Sequence, residues 1–404
     1  MKTENNNRLF FFTAQYPFGL KEEFVAAEII GLSKRFKEIV VVPFGPLENI
    51  ERELPSNCVL EKVDLNKSKL TLRDNLRLIQ LLVSEIFKSK KGVHILRKSR
   101  SLRSEAAQSM KLSKQFIQMF DSHNASESDY YYSTWMNESA LALAFVRERL
   151  PQINFTIRNR GYDLFDERRE GNYMPFRNYI FKHSSKVLAV SEFGRDYLRA
   201  KNVYPEKIHC NYNGVKEGNF ELKSLSSKLT LVSCSYLLPI KRVDVLASAL
   251  HEIDFELKWI HFGDGPEEDK IKRIVNDLPK NIEIELRGAV NPAEIIKEYE
   301  SGLCDAFIHL SESEGFGMAI LEAISRGIPT ILYPAGGVND FMSESHTIEI
   351  KEPFNVNAVV ESIKLFQTKF YKNEEVRADA FNFFKSKFTE EKNLDELYAH
   401  ILGD

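Results

Sequence analysis

Apolar residues are arranged along this chain in two alternating ways. Short runs, for example at 9–14 and 39–44, are apolar at nearly every position, which is typical of strands buried on both faces. Between these runs, Phe24, Ala27 and Ile30 fall on one side of a helix. Strands that alternate with helices over short connections predict parallel sheets covered by helices on both faces.

The alternation occurs twice, on either side of a polar stretch at 216–228 that contains few large apolar residues. Strands of the second series are expected at 229–234, 257–262, 282–286, 306–310 and 330–333. We therefore predict an α/β protein of two doubly wound, Rossmann-like domains that face each other across a cleft. The predicted parts are a domain at 1–215, a linker at 216–228, a domain at 229–388 and a final helix at 389–404 that can dock on the first domain.

Composition narrows the class of protein. With 404 residues, 43% of them apolar, two packed domains are expected. A formal net charge of -3 implies no polyanionic partner, so nucleic acid is not expected. The four cysteines are scattered without metal-binding spacing, which favours reduced thiols. A polar start and the lack of an apolar run of ~20 residues predict a cytoplasmic protein.

One segment departs from this balance of charge. Residues 86–104 contain seven Lys or Arg residues and no acid, and Lys111 and Lys114 continue the trend. A basic amphipathic surface of this kind, across 86–114, can rest on anionic lipid at the inner face of a membrane. A solvated helical face in an insertion explains the same pattern, so both interpretations stand at this point.

The stretch 313–327 carries the strongest chemical signal. Glu314 precedes Gly315 and Gly317, and Glu322 follows on a predicted helix. Glycines at the entrance of a helix let backbone N–H groups approach an anion, which the helix dipole favours. Two carboxylates beside such a site can hold hydroxyls. A pocket that binds both phosphate and polyol suits a nucleotide-sugar.

Other candidates follow strands of the second series, at the edge where parallel sheets bind ligands. Lys241 and Arg242 can neutralise a diphosphate as its charge increases in the transition state, although such a doublet also occurs as plain surface. Gly263 lies in a turn that lets the backbone pass close to a ligand. The stretch from Arg287 to Val290 can frame a nucleobase through its backbone.

Two loops of the first domain are weaker candidates. The loop after the first strand contains Tyr16 and Gly19. A denser group, which includes Arg160 and Asp163, surrounds a glycine, and structural and functional roles are equally open for it. In the second domain His309 ends a strand, where packing is the favoured role of a histidine.

Together these motifs resemble those of GT-B glycosyltransferases of family 4, a group of retaining sugar transferases. The resemblance is strongest over about 229–340 and looser in the first domain. The matching motifs of the second domain are Lys241-Arg242, Phe262-Gly263-Asp264-Gly265-Pro266, Arg287-Gly288, Glu314-Gly315-Phe316-Gly317, Glu322-Ala323 and Gly327-x-Pro329.

The resemblance implies a role for each matched residue. Glu314 would contact the donor sugar near its reacting carbon, and Glu322 would hold the ribose hydroxyls. The backbone amides of Gly315, Phe316 and Gly317 would face the donor phosphate and sugar.

The resemblance also implies that Lys241 and Arg242 bind the diphosphate. Tyr16, Gly19 and Asp163 would lie on the acceptor side. Members of the family work without a bound metal, which agrees with the lack of an Asp-x-Asp motif here. Neither a metal nor another cofactor is therefore expected.

Three positions depart from the family pattern. Tyr236 stands where the family often has an arginine, five residues before the lysine, so Arg242 is expected to supply the second cation. Arg160 stands where the family often has a histidine near the reacting carbon. Arg160 either carries positive charge to a phosphate or an acidic sugar, or marks a site that has lost a step. The smaller difference is Asp340, where glutamate is common.

The resemblance implies a retaining glycosyltransferase that moves a sugar from a nucleoside diphosphate donor to a glycan or lipid-linked acceptor, in surface polysaccharide or lipopolysaccharide assembly. A sugar-nucleotide epimerase, a phosphorylase and a non-catalytic sugar-nucleotide-binding protein remain alternatives. A dinucleotide-dependent oxidoreductase is disfavoured because no Gly-x-Gly-x-x-Gly follows the first strand.

Overall fold

The computed structural model describes residues 7–19, 22–45, 52–88, 92–201, 204–219 and 228–403. The chain forms two compact units, one of Met1–Asn211 together with Leu394–Asp404 and the other of Tyr212–Asn393. Within the described residues, no helix is long and apolar enough to cross a membrane. Most of the predicted linker, at 220–227, lies outside the described residues.

The first unit is built on a parallel sheet with the strand order β3-β2-β1-β4-β5-β6-β7. The strands described for this unit are β1 Arg8–Thr13, β2 Glu38–Pro43, β3 Cys58–Leu60, β4 Tyr130–Ser133, β5 Phe155–Asn159, β6 Lys186–Ala189 and β7 Ile208–Cys210. The central strands are buried along almost their whole length because helices cover both faces of the sheet, which explains their continuous apolar runs.

Helices alternate with these strands. Those described before residue 211 are α1 Glu23–Ser33, α2 Leu72–Lys88, α3 Gly92–Arg97, α4 Ser99–Ser122, α5 Glu138–Arg149, α6 Arg177–His183 and α7 Glu192–Lys201. The start of α5 is set by Asn137, whose side chain accepts a hydrogen bond from the N–H of Ser139 at 3.1 Å. The chain thus enters α5 directly from the loop that follows β4.

The second unit has its own parallel sheet, with the order β10-β9-β8-β11-β12-β13. The strands described for it are β8 Leu229–Cys234, β9 Leu257–Phe262, β10 Ile282–Leu286, β11 Ala306–His309, β12 Thr330–Leu332 and β13 Thr347–Glu349. The helices described are α8 Val243–Ala249, α9 Glu268–Val275, α10 Pro292–Glu300, α11 Met318–Ile324, α12 Val356–Lys369 and α13 Glu374–Lys387.

The last helix, α14 Glu390–Leu402, brings apolar side chains to the first unit. Leu394, Leu397 and Ile401 are buried in the same apolar cluster as residues of β1 and α1. Gly31 of α1 makes the close approach possible, because a Cβ there would lie 2.2 Å from a methyl carbon of Leu394.

Candidate active site

The second sheet has a topological switch point between β8 and β11. The chain runs outward from β8 through β9 to β10, then returns to β11 on the other side of β8. In doubly wound sheets ligands bind at such a point, beyond the carboxyl ends of the strands, because the two connections leave in opposite directions. The loops that follow β8 and β11 carry Lys241 and Glu314 respectively.

Two side chains from these loops and one from the end of β11 meet at the switch point. The Nζ of Lys241 donates a hydrogen bond to Oε1 of Glu314, and Nε2 of His309 lies 3.1 Å from the same oxygen. The side chains of Lys241 and Glu314 are 20% and 13% exposed, so the ion pair is shielded but reachable from solvent. The sequence favours packing for His309, whereas the structure places its ring against the carboxylate at the centre of the site.

The charge state of Glu314 follows from these contacts. Burial by itself would raise the pKa of this carboxyl, but the hydrogen bond and charge of His309 and the charge of Lys241 hold the pKa far below its ordinary value. Glu314 is therefore ionised at neutral pH and accepts hydrogen bonds only. Nε2 of His309 must then carry the proton that it shares with the carboxylate.

Two adjacent glycines fix the backbone of Glu314. The N–H of Gly337 donates to the carbonyl oxygen of Glu314 at 2.8 Å. A Cβ at Gly336 would lie 2.3 Å from that oxygen, and a Cβ at Gly337 would lie 2.1 Å from the carbonyl oxygen of Gly315. The loop after β12 can therefore approach the loop after β11 only because both positions lack a side chain.

The helix that follows the glycine motif begins at Met318, and Gly317 precedes it with a φ of 109°. Only glycine adopts this conformation readily, which explains its position at the turn into α11. The side chain of Phe316 is buried among aromatic rings, with centroid distances of 4.8 Å to Phe341 and 5.6 Å to Tyr212. Any contact of Phe316 with a donor would thus involve its backbone.

Glu322 lies half-buried on α11, and its negative charge affects Cys234 at the end of β8. Burial and then the negative charge of Glu322 raise the pKa of the Cys234 thiol to about 12, while the charge of Lys241 acts in the opposite direction. Cys234 is the last residue of β8, and it lines a small cavity together with Lys241 and His309. The structure therefore brings Glu322, Lys241 and Glu314 to one edge of the sheet.

Arg242 has different partners from its neighbour in the doublet. Its guanidinium lies over the ring of Phe354 at 4.2 Å and over that of Tyr333 at 5.1 Å, and it contacts a carboxylate oxygen of Glu312 at 3.3 Å. Its Nη1 is buried without a hydrogen-bond partner among the described residues. Lys241 alone of the doublet is paired with Glu314.

The loop after β9 supports the loop that carries Lys241. Gly263 and Gly265 both have positive φ values, and a Cβ at Gly263 would lie 1.9 Å from the carbonyl oxygen of Ser235. The N–H of Leu237 donates to the carbonyl oxygen of Asp264 at 2.7 Å. These glycines thus allow two loops to pack together at the carboxyl edge of the sheet.

The predicted nucleobase contacts lie on a more exposed part of the same edge. The guanidinium of Arg287 forms ion pairs with Glu285 and Glu298, each at 2.6 Å, and lies over the ring of Phe262 at 5.3 Å. Val290 is half-buried in the loop before α10. Because the guanidinium of Arg287 is already paired, the groups from Arg287 to Val290 that can contact a base are those of the backbone.

In the first unit, the candidate residues are held by buried carboxylates. The carboxylate of Glu22 accepts hydrogen bonds from the backbone N–H groups of Gln15 and Tyr16 at 2.6 and 2.7 Å, and from the indole of Trp135 at 2.5 Å. Tyr16 and Gly19 are both buried in this loop. Sequence reasoning missed Glu22, whose signal was an acid at the entrance of a helix directly after a strand.

Arg160 belongs to a buried cluster of charges. Its Nη2 donates to Glu28 at 2.5 Å, and Arg158 donates to the same oxygen at 2.6 Å. Asp163 is also buried, and its carboxylate accepts from the N–H of Arg160 at 2.6 Å. Burial is the largest influence on the carboxyl of Asp163 and raises its pKa. The guanidinium of Arg160 also lies over the ring of Phe24 at 4.0 Å.

Comparison with known proteins shows which proteins this part of the chain resembles. Residues 216–382, which include the Lys241, Glu314 and Glu322 positions, match the family model described as Glycosyl transferases group 1. The chain is 29% identical over 234 residues to an uncharacterized glycosyltransferase of Methanocaldococcus jannaschii, an alignment that covers 55% of this chain and 60% of that protein. It is 28% identical over 180 residues to the sulfoquinovosyl transferase SQD2 of Arabidopsis thaliana, covering 44% of this chain and 29% of that protein. These alignments span less than two thirds of each relative.

Solved structures extend the similarity to the whole fold. The lipopolysaccharide outer core galactosyltransferase WaaB matches with a TM-score of 0.69 at 16% identity, over 98% of this chain and 99% of that chain. The Anabaena protein HepE, in complex with UDP and glucose, matches with a TM-score of 0.62 at 14% identity, over 97% and 98%. The predicted GT-B fold class is thereby confirmed, and the group 1 family match supports the resemblance. Membership of family 4 in particular stays a prediction.

Proposed function

We propose that this chain is a retaining glycosyltransferase that moves a sugar from a nucleoside diphosphate donor to a hydroxyl of a glycan or lipid-linked acceptor. The observation that carries the proposal is the meeting of Lys241, Glu314 and His309 at the switch point of the second sheet, inside the residues that match the group 1 glycosyltransferase model. Similar structures support a nucleotide-sugar donor: HepE holds UDP and glucose, and the pneumococcal O-GlcNAc transferase GtfA holds UDP and GlcNAc.

The ion pair between Lys241 and Glu314 rearranges when the donor binds. When a donor binds, the ammonium of Lys241 exchanges the carboxylate of Glu314 for the donor diphosphate. The carboxylate, ionised and still held by His309, then accepts hydrogen bonds from sugar hydroxyls. Glu322 accepts hydrogen bonds from the ribose hydroxyls, and Arg242 adds a second positive charge for the diphosphate.

Transfer breaks the bond between the sugar carbon and the phosphate oxygen. Negative charge grows on the departing diphosphate, and Lys241 stabilises that charge more strongly in the transition state than in the ground state. The acceptor hydroxyl enters from the face that the phosphate leaves, which retains the configuration. Its proton passes to the departing phosphate, so that charge and atoms balance without a metal.

A screen of nucleoside diphosphates by thermal shift tests donor recognition. A ligand present at about 100 times its dissociation constant should raise the melting temperature by roughly 5–10 °C. We expect one of the uridine, guanosine or adenosine diphosphates to do so, with no loss of the shift when EDTA is added. A well-folded sample that responds to none of them contradicts the proposal.

Turnover then separates the transferase from its alternatives. A transferase consumes the sugar donor only with an acceptor extract and releases the nucleoside diphosphate. An epimerase converts the donor without acceptor, a phosphorylase requires free phosphate, and a binding protein leaves the donor unchanged. We place the reaction in surface polysaccharide or lipopolysaccharide assembly on the cytoplasmic side of the membrane, which suits a chain with four free cysteines.

A further inference from the structure

Helix α2 presents an unusual outward face. Five large apolar side chains on this helix are between 44% and 84% exposed: Leu72, Leu76, Ile79, Val83 and Phe87. Their spacing of three and four residues places them in one stripe along the helix, which we call the α2 stripe. The stripe runs for ~22 Å, since each helical residue rises by ~1.5 Å.

The opposite face of α2 is buried in the core of the first unit. Leu78, Leu81 and Leu82 lie in the main apolar cluster of that unit. The helix is thus apolar on both faces, whereas a helix at the surface of a soluble protein usually turns a polar face to water. A contiguous exposed apolar surface of this kind marks a place where something else binds.

Ion pairs on other sides of α2 connect the helix to its neighbours in this orientation. The buried carboxylate of Asp74 pairs with Arg149 at 2.8 Å and with Lys114. Arg77 pairs with Glu148 of α5 at 2.6 Å. These contacts anchor the helix to α4 and α5.

The exposed charges of this stretch of the chain are positive, whereas the exposed acid Glu148 of α5 is paired with Arg77. Among the described side chains of residues 72–104, those that are both exposed and charged are Arg73, Arg97, Arg100 and Arg103. Arg103 lies beside the first turns of α2, with its Nη2 3.5 Å from Oδ1 of Asn75. Leu96 of α3 adds another exposed apolar side chain next to Arg97.

We propose that the α2 stripe and its flanking arginines form a surface that docks on an anionic lipid bilayer. The apolar side chains enter the boundary between headgroups and acyl chains, and the arginines pair with anionic headgroups. A second copy of the same face would bring like charges together, which disfavours self-association through it. The docking surface does not depend on the transfer reaction and goes beyond it.

This surface differs from the one that the basic sequence alone indicates. Within 86–114, Lys98 pairs with Glu170 at 2.7 Å and Lys114 pairs with Asp74, so both lysines already have an acidic partner in the same chain. Lys90 and Lys91 lie outside the described residues. The apolar half of the surface lies mostly before residue 86, on α2.

Vesicle sedimentation of the full chain tests the proposal. The protein should bind vesicles of phosphatidylglycerol and phosphatidylcholine, bind pure phosphatidylcholine vesicles much less, and dissociate as salt is raised. A variant with Leu76, Ile79, Val83 and Phe87 replaced by Gln should lose roughly tenfold or more of its binding. A matched control is Leu365→Gln, because Leu365 is an exposed leucine on α12 of the second unit.

The melting temperature of the four-residue variant shows that it is folded, since the replaced side chains are exposed. An unchanged partition of that variant, or no binding of the parent protein to anionic vesicles at low salt, overturns the proposal. A dimer in analytical ultracentrifugation that dissociates only in the stripe variant also overturns it, because the occupant of the face is then a second copy of the chain.

Discussion

In both units the strand order reverses beside the first strand, and an ion-paired glutamate lies near each reversal, but the surroundings of the two glutamates differ. In the first unit Glu28 is enclosed with Arg158 and Arg160, and each of these side chains is less than one tenth exposed. In the second unit Glu314 pairs with Lys241, which is 20% exposed. The charges around Glu28 are paired with one another and closed off from solvent. The ammonium of Lys241 is reachable, so it can leave Glu314 and bind a ligand.

The difference bears on Arg160, the residue that departs from the family pattern. A guanidinium that is shared between Glu28, Thr134 and an aromatic ring is costly to release from its position. Its positive charge can still act on a nearby ligand through the field it creates. Lys241, by contrast, has a flexible side chain whose ammonium can move to a phosphate.

The largest effect is expected on stability when Glu28 is removed. Glu28→Ala leaves the charges of Arg158 and Arg160 buried without their carboxylate, which should cost about 3–5 kcal/mol in the free energy of unfolding. Chemical denaturation of the variant measures this loss. The control is Glu148→Ala, which breaks a partly exposed pair with Arg77 and should cost no more than about 1 kcal/mol. Similar losses in the two variants would remove the contrast between buried and exposed pairs.

The next effect is expected on catalysis when Lys241 is removed. Lys241→Ala should lower turnover by roughly 10²–10³-fold, because one preorganised charge that stabilises the leaving group contributes about 2.7–4 kcal/mol to the barrier. Steady-state kinetics with a sugar-nucleotide donor provide the measurement. Lys272→Ala is the control, since Lys272 is an exposed lysine that pairs with Glu268 on the surface of α9. Near-parental turnover of Lys241→Ala, less than tenfold reduced, would refute its role.

A smaller effect is expected from filling the space against Glu314. Gly336→Ala and Gly288→Ala alter glycines with φ values of 60° and 64°, so both pay the same cost of a left-handed alanine. A Cβ at Gly336 lies 2.3 Å from the carbonyl oxygen of Glu314, whereas a Cβ at Gly288 meets nothing within 4 Å. Gly336→Ala should therefore be less stable than Gly288→Ala by about 1–3 kcal/mol in thermal or chemical unfolding. Equal stability of the two variants would show that the loop after β12 can move away from Glu314 at no cost in free energy.

The smallest effect is expected in the dependence of stability on pH. The pKa of Glu314 is lowered in the folded protein from an ordinary value of 4.5. Its stabilising contribution is therefore present above about pH 4.5 and is lost as pH falls toward the folded pKa. Glu314→Gln should be less stable than the parent protein by about 1 kcal/mol at neutral pH, and the difference should vanish in acid. A difference that grows as pH falls would mean that Glu314 is protonated in the folded protein.

Much of the fold could be predicted from the sequence because buried parallel strands leave continuous apolar runs. The predicted strands at 229–234 and 282–286 coincide with β8 and β10. The short strands β3, β7 and β13 were not predicted; each has three residues at an edge of its sheet, too few for a pattern. Helix α2 was not predicted either, although Leu76, Ile79 and Val83 recur at the three- and four-residue spacing that marks a helix.

The candidate site could be predicted only where its residues are close together in the sequence. The motif from Glu314 to Gly317 combines glycines and an acid within four residues. The partner of Arg160 is Glu28, 132 residues away, and no local pattern connects them. The contact of Gly337 with Glu314 likewise depends on two loops that approach each other only in the folded sheet.

The exchange of Glu314 for a diphosphate at Lys241 is tested most directly by calorimetric titration of the nucleoside diphosphate selected in the thermal-shift screen. The dissociation constant should rise by about tenfold or more in Lys241→Ala, equivalent to ~1.4 kcal/mol, and should stay the same in Lys272→Ala. An equal affinity of Lys241→Ala and the parent protein for that diphosphate would contradict the account, because the ammonium of Lys241 would then never leave its carboxylate.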